Sequence, residues 1–175
     1  MFSFTLPHWS DDFDCYTITI LSLMTDSMDD GNNQKKLVMV SGGFDPVHVG
    51  HLRMFNEARA LGDELLVVIN CDEWLVRKKG KFFMTETERA ELIEGFAAVD
   101  RVYILKSDRP DVNEALELFC PAIFANGGDR KMDNVPEVAV CEKLGIEMVY
   151  NVGHGGKVQS SSDLLNRYSQ ADDAA

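Results

Sequence analysis

The chain has 175 residues and a formal net charge of −12, and 45% of its residues are hydrophobic. This length and composition predict one soluble globular domain. The acidic charge disfavours a broad nucleic-acid-binding surface, because that surface would repel phosphates. No apolar run approaches the ~18 residues that a membrane span requires. We therefore expect neither a nucleic-acid partner nor insertion in a membrane.

Residues 1–34 differ from the rest of the chain. They contain no Lys or Arg, so they lack the charged start of a secretory signal. We predict a poorly ordered extension without a catalytic role, with Met24 or Met28 as alternative start sites. The four cysteines are widely spaced and form no C-x-x-C pair, which favours reduced thiols and a cytoplasmic protein.

From Lys35 onward, apolar runs alternate with amphipathic segments. Five runs predict β-strands, at Leu37–Val40, Glu64–Asn70, Val102–Leu105, Ala122–Ala125 and Glu147–Val152. Five segments predict helices, at Leu52–Leu61, Glu86–Val99, about Asp111–Phe119, about Asn134–Leu144 and about Ser160–Tyr168. This alternation gives an α/β fold, with a five-stranded parallel sheet and helices on both faces. Residues 35–170 form this domain, and residues 171–175 are an acidic tail.

The segment Ser41–His51 (SGGFDPVHVGH) joins the first strand to the first helix. Its glycines let the backbone approach a ligand closely, and a helix start offers unpaired N–H groups, so the segment predicts an anion site. His48 and His51 are spaced to share a metal ion, but Asp45 alone is close enough in sequence to be a third ligand. We therefore favour phosphate contact and predict no metal site made by protein side chains. Facing the charges of a triphosphate, both histidines are expected to act as donors or cations.

Two other glycine-rich segments, at 126–129 and 153–160, also follow predicted strands. In a parallel sheet the carboxyl ends of the strands lie at one edge, where ligands bind. All three glycine-rich segments are therefore expected to meet at one site. The residues of the basic loop Arg77–Lys81 are expected beside it.

The pattern Gly42-x-Phe44-Asp45-x-x-His48-x-Gly50-His51 resembles the signature of the cytidylyltransferase-like nucleotidyltransferases. These enzymes have a Rossmann-like fold and bind nucleoside triphosphate phosphates through H-x-G-H. The similarity extends over about residues 36–168. Asn126–Asp129 (NGGD) is similar to the K-G-G-D segment of the heptose 1-phosphate adenylyltransferases, and Ser160–Ser162 stands where the family has S-T-T.

The resemblance implies that residues 35–170 are a nucleotidyltransferase domain. It would transfer a nucleoside monophosphate from ATP or CTP to a phosphorylated small molecule, with Mg²⁺, and would form a homodimer. The implied catalytic residues are His48, His51, Lys81 and Arg89. The implied nucleotide-binding residues are Gly42, Gly43, Phe44, Asp45, Gly50, Asn126, Gly127, Asp129, Ser160, Ser161 and Ser162. The implied acceptor-binding residues are Lys78, His154 and Lys157.

The nucleotide and the acceptor stay open at this point. The G-G-D similarity favours ATP and a sugar phosphate, whereas the broader family favours CTP and a polyol or amino-alcohol phosphate. The sequence lacks the R-T-E-G-I segment of the cytidylyltransferases, and Lys157 supplies a charge in its place. Asn126 replaces the Lys before G-G-D. A non-catalytic nucleotide-binding module is a further alternative.

Overall fold

A computed structural model of the protein describes residues 35–127, 136–153 and 159–172. The predictions for residues 1–34, for Asn134 as a helix cap and for the last three residues of the tail lie outside these ranges.

Five parallel strands form one sheet in the order β3-β2-β1-β4-β5. They are β1 (Leu37–Gly42), β2 (Glu64–Asn70), β3 (Arg101–Leu105), β4 (Ile123–Gly127) and β5 (Glu147–Val152). The chain builds from β1 outward to β3, then crosses to the other side of β1 and continues with β4 and β5. The strand order therefore reverses between β1 and β4, which is where ligands bind in open α/β sheets. All five predicted strands are confirmed.

The described residues include six helices. They are α1 (Val49–Arg59), α2 (Asp72–Lys79), α3 (Glu86–Glu94), α4 (Asn113–Phe119), α5 (Val138–Leu144) and α6 (Ser161–Asp172). The predicted helices are present with shifted ends. α3 stops at Gly95 rather than at Val99, and α6 continues to Asp172 rather than stopping near Tyr168.

The sheet is covered on both faces, as predicted. Successive residues of a strand point to opposite sides, so Val38 and Val40 pack in one core cluster with Phe55 of α1. Met39 packs in the other cluster with Leu116 of α4 and Cys141 of α5. The central strands are buried on both sides because each of their faces meets a helix layer, which explains their continuous apolar sequence.

Helix α2 is the element that the sequence analysis did not predict. The prediction of a basic loop at Arg77–Lys81 is wrong, because its first three residues form the last turn of α2 and Gly80, with φ of 80°, ends the helix. Acidic residues in the first turn and basic residues in the last turn both complement the helix dipole. Leu75 is the one buried side chain of this helix, so the sequence carries no apolar periodicity that would reveal it.

Two of the cysteines, Cys71 and Cys141, are buried free thiols, as expected. Cys120 is disulfide-bonded, so the expectation of four reduced cysteines is wrong for that residue. Within the described ranges, none of the helices combines the length and the apolar character that crossing a membrane requires.

Candidate active site

A cleft of about 310 Å³ opens at the carboxyl edge of the sheet. The loop after β1 and the end of β4, on either side of the point where strand order reverses, both line it. This volume is at the lower end of the range for small-molecule sites. The predicted site residues that line the cleft are Gly42, Gly43, Phe44, His48, Gly50, His51, Lys78, Asn126, Gly127, Ser160, Ser161 and Ser162.

The two histidines cap the start of α1 and stack on each other. His48 Nδ1 accepts from the Gly50 N–H at 3.1 Å, and His51 Nδ1 accepts from the His48 N–H at 3.3 Å. The ring centroids lie 3.7 Å apart, with the planes 18° from parallel. Gly50 is required here, because a Cβ at this position would lie 2.9 Å from His48 Cε1.

This arrangement fixes the protonation state of both rings. Because each Nδ1 accepts a backbone hydrogen bond, the proton of each neutral ring lies on Nε2. Burial lowers the pKa of His48. Burial, followed by the charges of His48 and Lys79, lowers the pKa of His51 to about 3. Both side chains are therefore neutral Nε2–H donors at neutral pH in this structure, rather than cations.

The basic residues beside the cleft belong to the end of α2. Lys78 and Lys79 both line the cleft, and the Lys78 ammonium lies 4.4 Å from the centre of the Trp74 ring. Lys81, predicted as a catalytic residue, is exposed and does not line it. The left-handed turn at Gly80 separates Lys81 from the helix that holds the other two lysines.

Asp45, predicted as a nucleotide contact, is instead an internal structural residue. It is 1% exposed, and its two carboxylate oxygens accept the N–H groups of Phe83 and Met84 at 2.8 Å each. It does not line the cleft. Its role in this structure is to hold the segment before α3 against the loop that follows β1.

Arg89, predicted as a catalytic contact with phosphate, is also internal. Its side chain is fully buried and donates to three backbone carbonyls and to the Asp72 carboxylate. The guanidinium lies behind the loop that follows β1 and is not among the residues that line the cleft.

Helix α6 brings a second helix start to the cleft. The Ser160 hydroxyl accepts from the Asp163 N–H at 3.3 Å and so caps this helix. The Ser161 hydroxyl donates to the Pro46 carbonyl at 2.9 Å, which ties α6 to the loop before α1. The starts of α1 and α6 both line the cleft, and each carries the partial positive charge that attracts anions.

Three predicted residues, Asp129, His154 and Lys157, lie outside the described ranges. The cleft also contains Ser41, Lys79, Gly153 and Gln159, which lie in segments expected at the site but were not named singly. It further contains residues that the sequence analysis did not assign to the site, namely Met54, Asn70, Trp74, Leu75 and Val152. The sequence could have indicated Asn70 as a site residue, because Asn70 is the last residue of the predicted strand that neighbours β1. Trp74 and Lys79 lie on the helix that was not predicted.

The side chains in the described part of the cleft suit a polyanion. They include two imidazoles, two ammonium groups, three hydroxyls after β5 and no carboxylate, in a chain whose net charge is −12. Neutral donors and helix starts hydrogen-bond phosphate oxygens, and ammonium groups balance their charge. The arrangement can therefore bind a phosphate chain and stabilise charge that develops on it.

The sequence matches characterised families over this region. A family model described as Cytidylyltransferase-like matches residues 39–152. The bifunctional protein HldE of Citrifermentans bemidjiense is 33% identical over 138 residues, which are 77% of this chain and 28% of the relative. The FAD synthase of Aciduliprofundum boonei is 38% identical over 111 residues, 63% of this chain and 73% of the relative. The chain thus spans little more than a quarter of the HldE relative.

Among solved structures, the lipopolysaccharide core biosynthesis protein from Thermoplasma volcanium superposes with a TM-score of 0.59. The sequence identity is 31%, and the match covers 69% of this chain and 99% of that protein. That protein is therefore matched over nearly its whole length.

Proposed function

Because the chain belongs to the cytidylyltransferase-like family of nucleotidyltransferases, we propose that it transfers an adenylyl group from ATP to a phosphorylated small molecule. The relatives support ATP over CTP: the HldE proteins carry a heptose 1-phosphate adenylyltransferase domain, and the product of an FAD synthase contains an adenylyl group. The observation that carries the proposal is the pair of stacked histidines at the start of α1, which line a cleft whose described side chains include no carboxylate.

The proposed reaction is a single in-line displacement. An oxygen of the acceptor phosphate attacks the α-phosphorus of ATP, the bond from this phosphorus to the oxygen bridging the β-phosphorus breaks, and pyrophosphate leaves. The acceptor phosphate is already ionised at neutral pH, so the step needs no general base and no covalent intermediate. Catalysis then rests on positioning and on stabilising the developing charge.

Each group of the cleft has a part in this proposal. The Nε2–H groups of His48 and His51 donate to the phosphate oxygens. Lys79 and Lys78 neutralise the triphosphate from the end of α2. Ser160–Ser162 contact phosphate oxygens at the start of α6. Asn126 and Gly127 form the border of the nucleotide site on the side of β4.

Mg²⁺ fits this donor set as an ion carried by the nucleotide. Mg²⁺ prefers oxygen ligands, keeps several waters and is commonly held by substrate phosphates. The described part of the cleft offers hydroxyl and amide oxygens and no carboxylate, so triphosphate oxygens and water would hold the ion. When bound, it would neutralise charge on the departing pyrophosphate.

A sugar phosphate is the proposed acceptor, on the strength of the G-G-D segment and the HldE relatives. Flavin mononucleotide is the second candidate, favoured by the FAD synthase relative. Both acceptors present a phosphate monoester to the same site. A polyol or amino-alcohol phosphate with CTP would instead follow the broader family.

An acceptor panel tests this proposal. The protein is incubated with ATP or CTP and with a sugar 1-phosphate, flavin mononucleotide, glycerol 3-phosphate or phosphocholine, and pyrophosphate release is measured. We expect turnover with ATP and a sugar 1-phosphate. Turnover with CTP alone would overturn the choice of nucleotide. Tight ATP binding without turnover of any acceptor would favour a non-catalytic nucleotide-binding module.

A further inference from the structure

Arg89 joins three segments that are distant in sequence. Nη1 donates to the Gly43 carbonyl at 2.7 Å and to the Asn70 carbonyl at 2.8 Å. Nη2 donates to Asp72 Oδ1 at 2.7 Å, and Nε donates to the Met84 carbonyl at 3.1 Å. These bonds use four of the five N–H groups of a guanidinium. The bonds connect the ends of β1 and β2 to the start of α3.

The contact with Gly43 determines how the next peptide group is oriented. The C=O and N–H of a trans peptide point in opposite directions, and the cis bonds among the described residues are limited to Asp45–Pro46. Since the Gly43 carbonyl points inward to the buried guanidinium, the N–H of Phe44 points away from it. Gly43 and Phe44 both line the cleft, so this peptide group lies beside the place where a phosphate would bind.

The Phe44 N–H is left without a partner in the described part of the protein. None of the hydrogen bonds among the described residues uses it, and Phe44 is 5% exposed with φ of 48°. A left-handed conformation is unfavourable for a residue with a side chain. A buried N–H also loses free energy when it is unpaired, so surrounding contacts must hold this conformation in place.

From these contacts we propose that Arg89 is a positioning residue that turns the Gly43–Phe44 peptide so that its N–H faces the triphosphate. Asp45 ties the same loop to the segment before α3, through the N–H groups of Phe83 and Met84. Arg89 therefore acts on the substrate through the backbone and not by contact with phosphate. This inference rests on the proposed binding of ATP in the cleft.

A comparison of ATP with adenosine tests the inference, because adenosine lacks phosphates. The variant Arg89→Lys keeps the positive charge, but one nitrogen cannot replace a planar fork that binds four acceptors. We expect its Kd for ATP to rise about tenfold or more, the range for a hydrogen bond to a charged group, while its Kd for adenosine stays near that of the wild type. Isothermal titration calorimetry gives the Kd for ATP of the wild type and of the variant. Competition with ATP gives the weaker Kd for adenosine of each protein.

Two further variants keep the test informative. Asp72→Asn weakens the ion pair and leaves the Gly43 contact in place, so we expect a smaller change in the same direction, and this variant serves if Arg89→Lys does not fold. Thr85→Ala removes the side-chain cap of α3 and is the matched control for lost stability. Its ratio of ATP to adenosine affinity should equal that of the wild type.

The outcomes separate the two claims. Wild-type protein that does not bind ATP would overturn the proposed function and this inference together. Wild-type protein that binds ATP, with folded Arg89 and Asp72 variants that bind it equally well, would overturn the positioning role alone. The same conclusion would follow if ATP and adenosine affinities fell by equal factors.

Discussion

At the scale of single residues, the site depends on how each polar group is held. In both His48 and His51, Nδ1 accepts a backbone N–H at the start of α1. The Nε2–H of each ring is therefore left for a ligand. The polar atoms of Asp45 and Arg89 form hydrogen bonds within the protein instead. The polar residues of this region therefore divide into those that face the cleft and those that hold its loops in place. That division depends on burial and on hydrogen-bond partners.

The pKa of His51 predicts how stability changes with pH. The value is about 3 in the folded protein and about 6.5 in an unfolded chain. Between these values the unfolded state binds more protons, so the free energy of unfolding falls as pH drops below about 6.5. We expect His51 to account for about 2 kcal/mol of the loss between pH 7 and pH 5, measured by urea denaturation.

His51→Gln is the comparison for this measurement. Glutamine is common at the third position of a capping box, so it can keep the bond to the His48 N–H while removing the titration. Its stability should depend less steeply on pH than that of the wild type. Equal slopes for the two proteins would show that His51 is not held neutral.

A matched pair of lysines tests the basic side of the cleft. Lys79 lines the cleft, whereas Lys81, two residues later, does not. We expect Lys79→Ala to lower kcat/KM about tenfold to a hundredfold, as the loss of a charged hydrogen bond to phosphate would. Lys81→Ala should stay within about twofold of the wild type, since exposed charges contribute little. The opposite order would restore Lys81 as the catalytic lysine.

At the scale of elements, the start of α1 couples helix capping to ligand binding. Gly50 leaves room for the His48 ring, and an alanine Cβ would lie 2.9 Å from His48 Cε1 and 3.0 Å from Nδ1. The ring must then leave its capping position. The same displacement that weakens the helix start also moves a phosphate donor, so stability and activity should fall together.

Gly50→Ala tests this coupling. We expect it to cost about 1 kcal/mol of stability, the typical value for a lost cap, and to lower kcat/KM at least about tenfold. Thr85→Ala loses a cap of α3, so it should cost a similar amount of stability with a much smaller effect on turnover. Urea denaturation and pyrophosphate release provide the two measurements. Equal losses of activity in both variants would contradict the coupling.

At the scale of the whole molecule, the arrangement of strands explains where the site lies. The ends of β2 and β4 and the segments that follow β1 and β5 reach one edge because all five strands are parallel. The alternating apolar pattern is enough to predict this arrangement, and the glycine-rich segments are enough to predict the edge. The homodimer and the roles of Asp129, His154 and Lys157 stay predictions.

The internal hydrogen bonds of Asp45 and Arg89 could not be predicted from the sequence in the same way. Arg89 donates to three backbone carbonyls, and two of them are 46 and 19 positions away in the sequence. Because every residue has a backbone carbonyl, the sequence does not show which ones will be acceptors. A family motif contains Arg89 whether it touches phosphate or holds the loop that does. The position of Lys81 away from the lining of the cleft follows likewise from one left-handed turn at Gly80, which has no periodic pattern.

Binding of the nucleotide should stabilise the whole domain. Mg²⁺–ATP at about 100 times its Kd adds about 2.7 kcal/mol to the free energy of unfolding, which raises Tm by about 5–10 °C for a protein of this size. Mg²⁺–CTP at the same concentration should raise Tm less. A larger shift with CTP would reverse the proposed choice of nucleotide.

Transfer of a labelled α-phosphate is the most direct test of the central claim, that His48 and His51 support adenylyl transfer in this cleft. ATP labelled at the α-phosphorus is incubated with Mg²⁺, a sugar 1-phosphate and either wild-type protein or His51→Ala. We predict that the wild type moves the label into a nucleotide–sugar product and that His51→Ala does so at least about 100-fold more slowly. Equal rates for the two proteins, or no labelled product with any phosphorylated acceptor, would contradict the account.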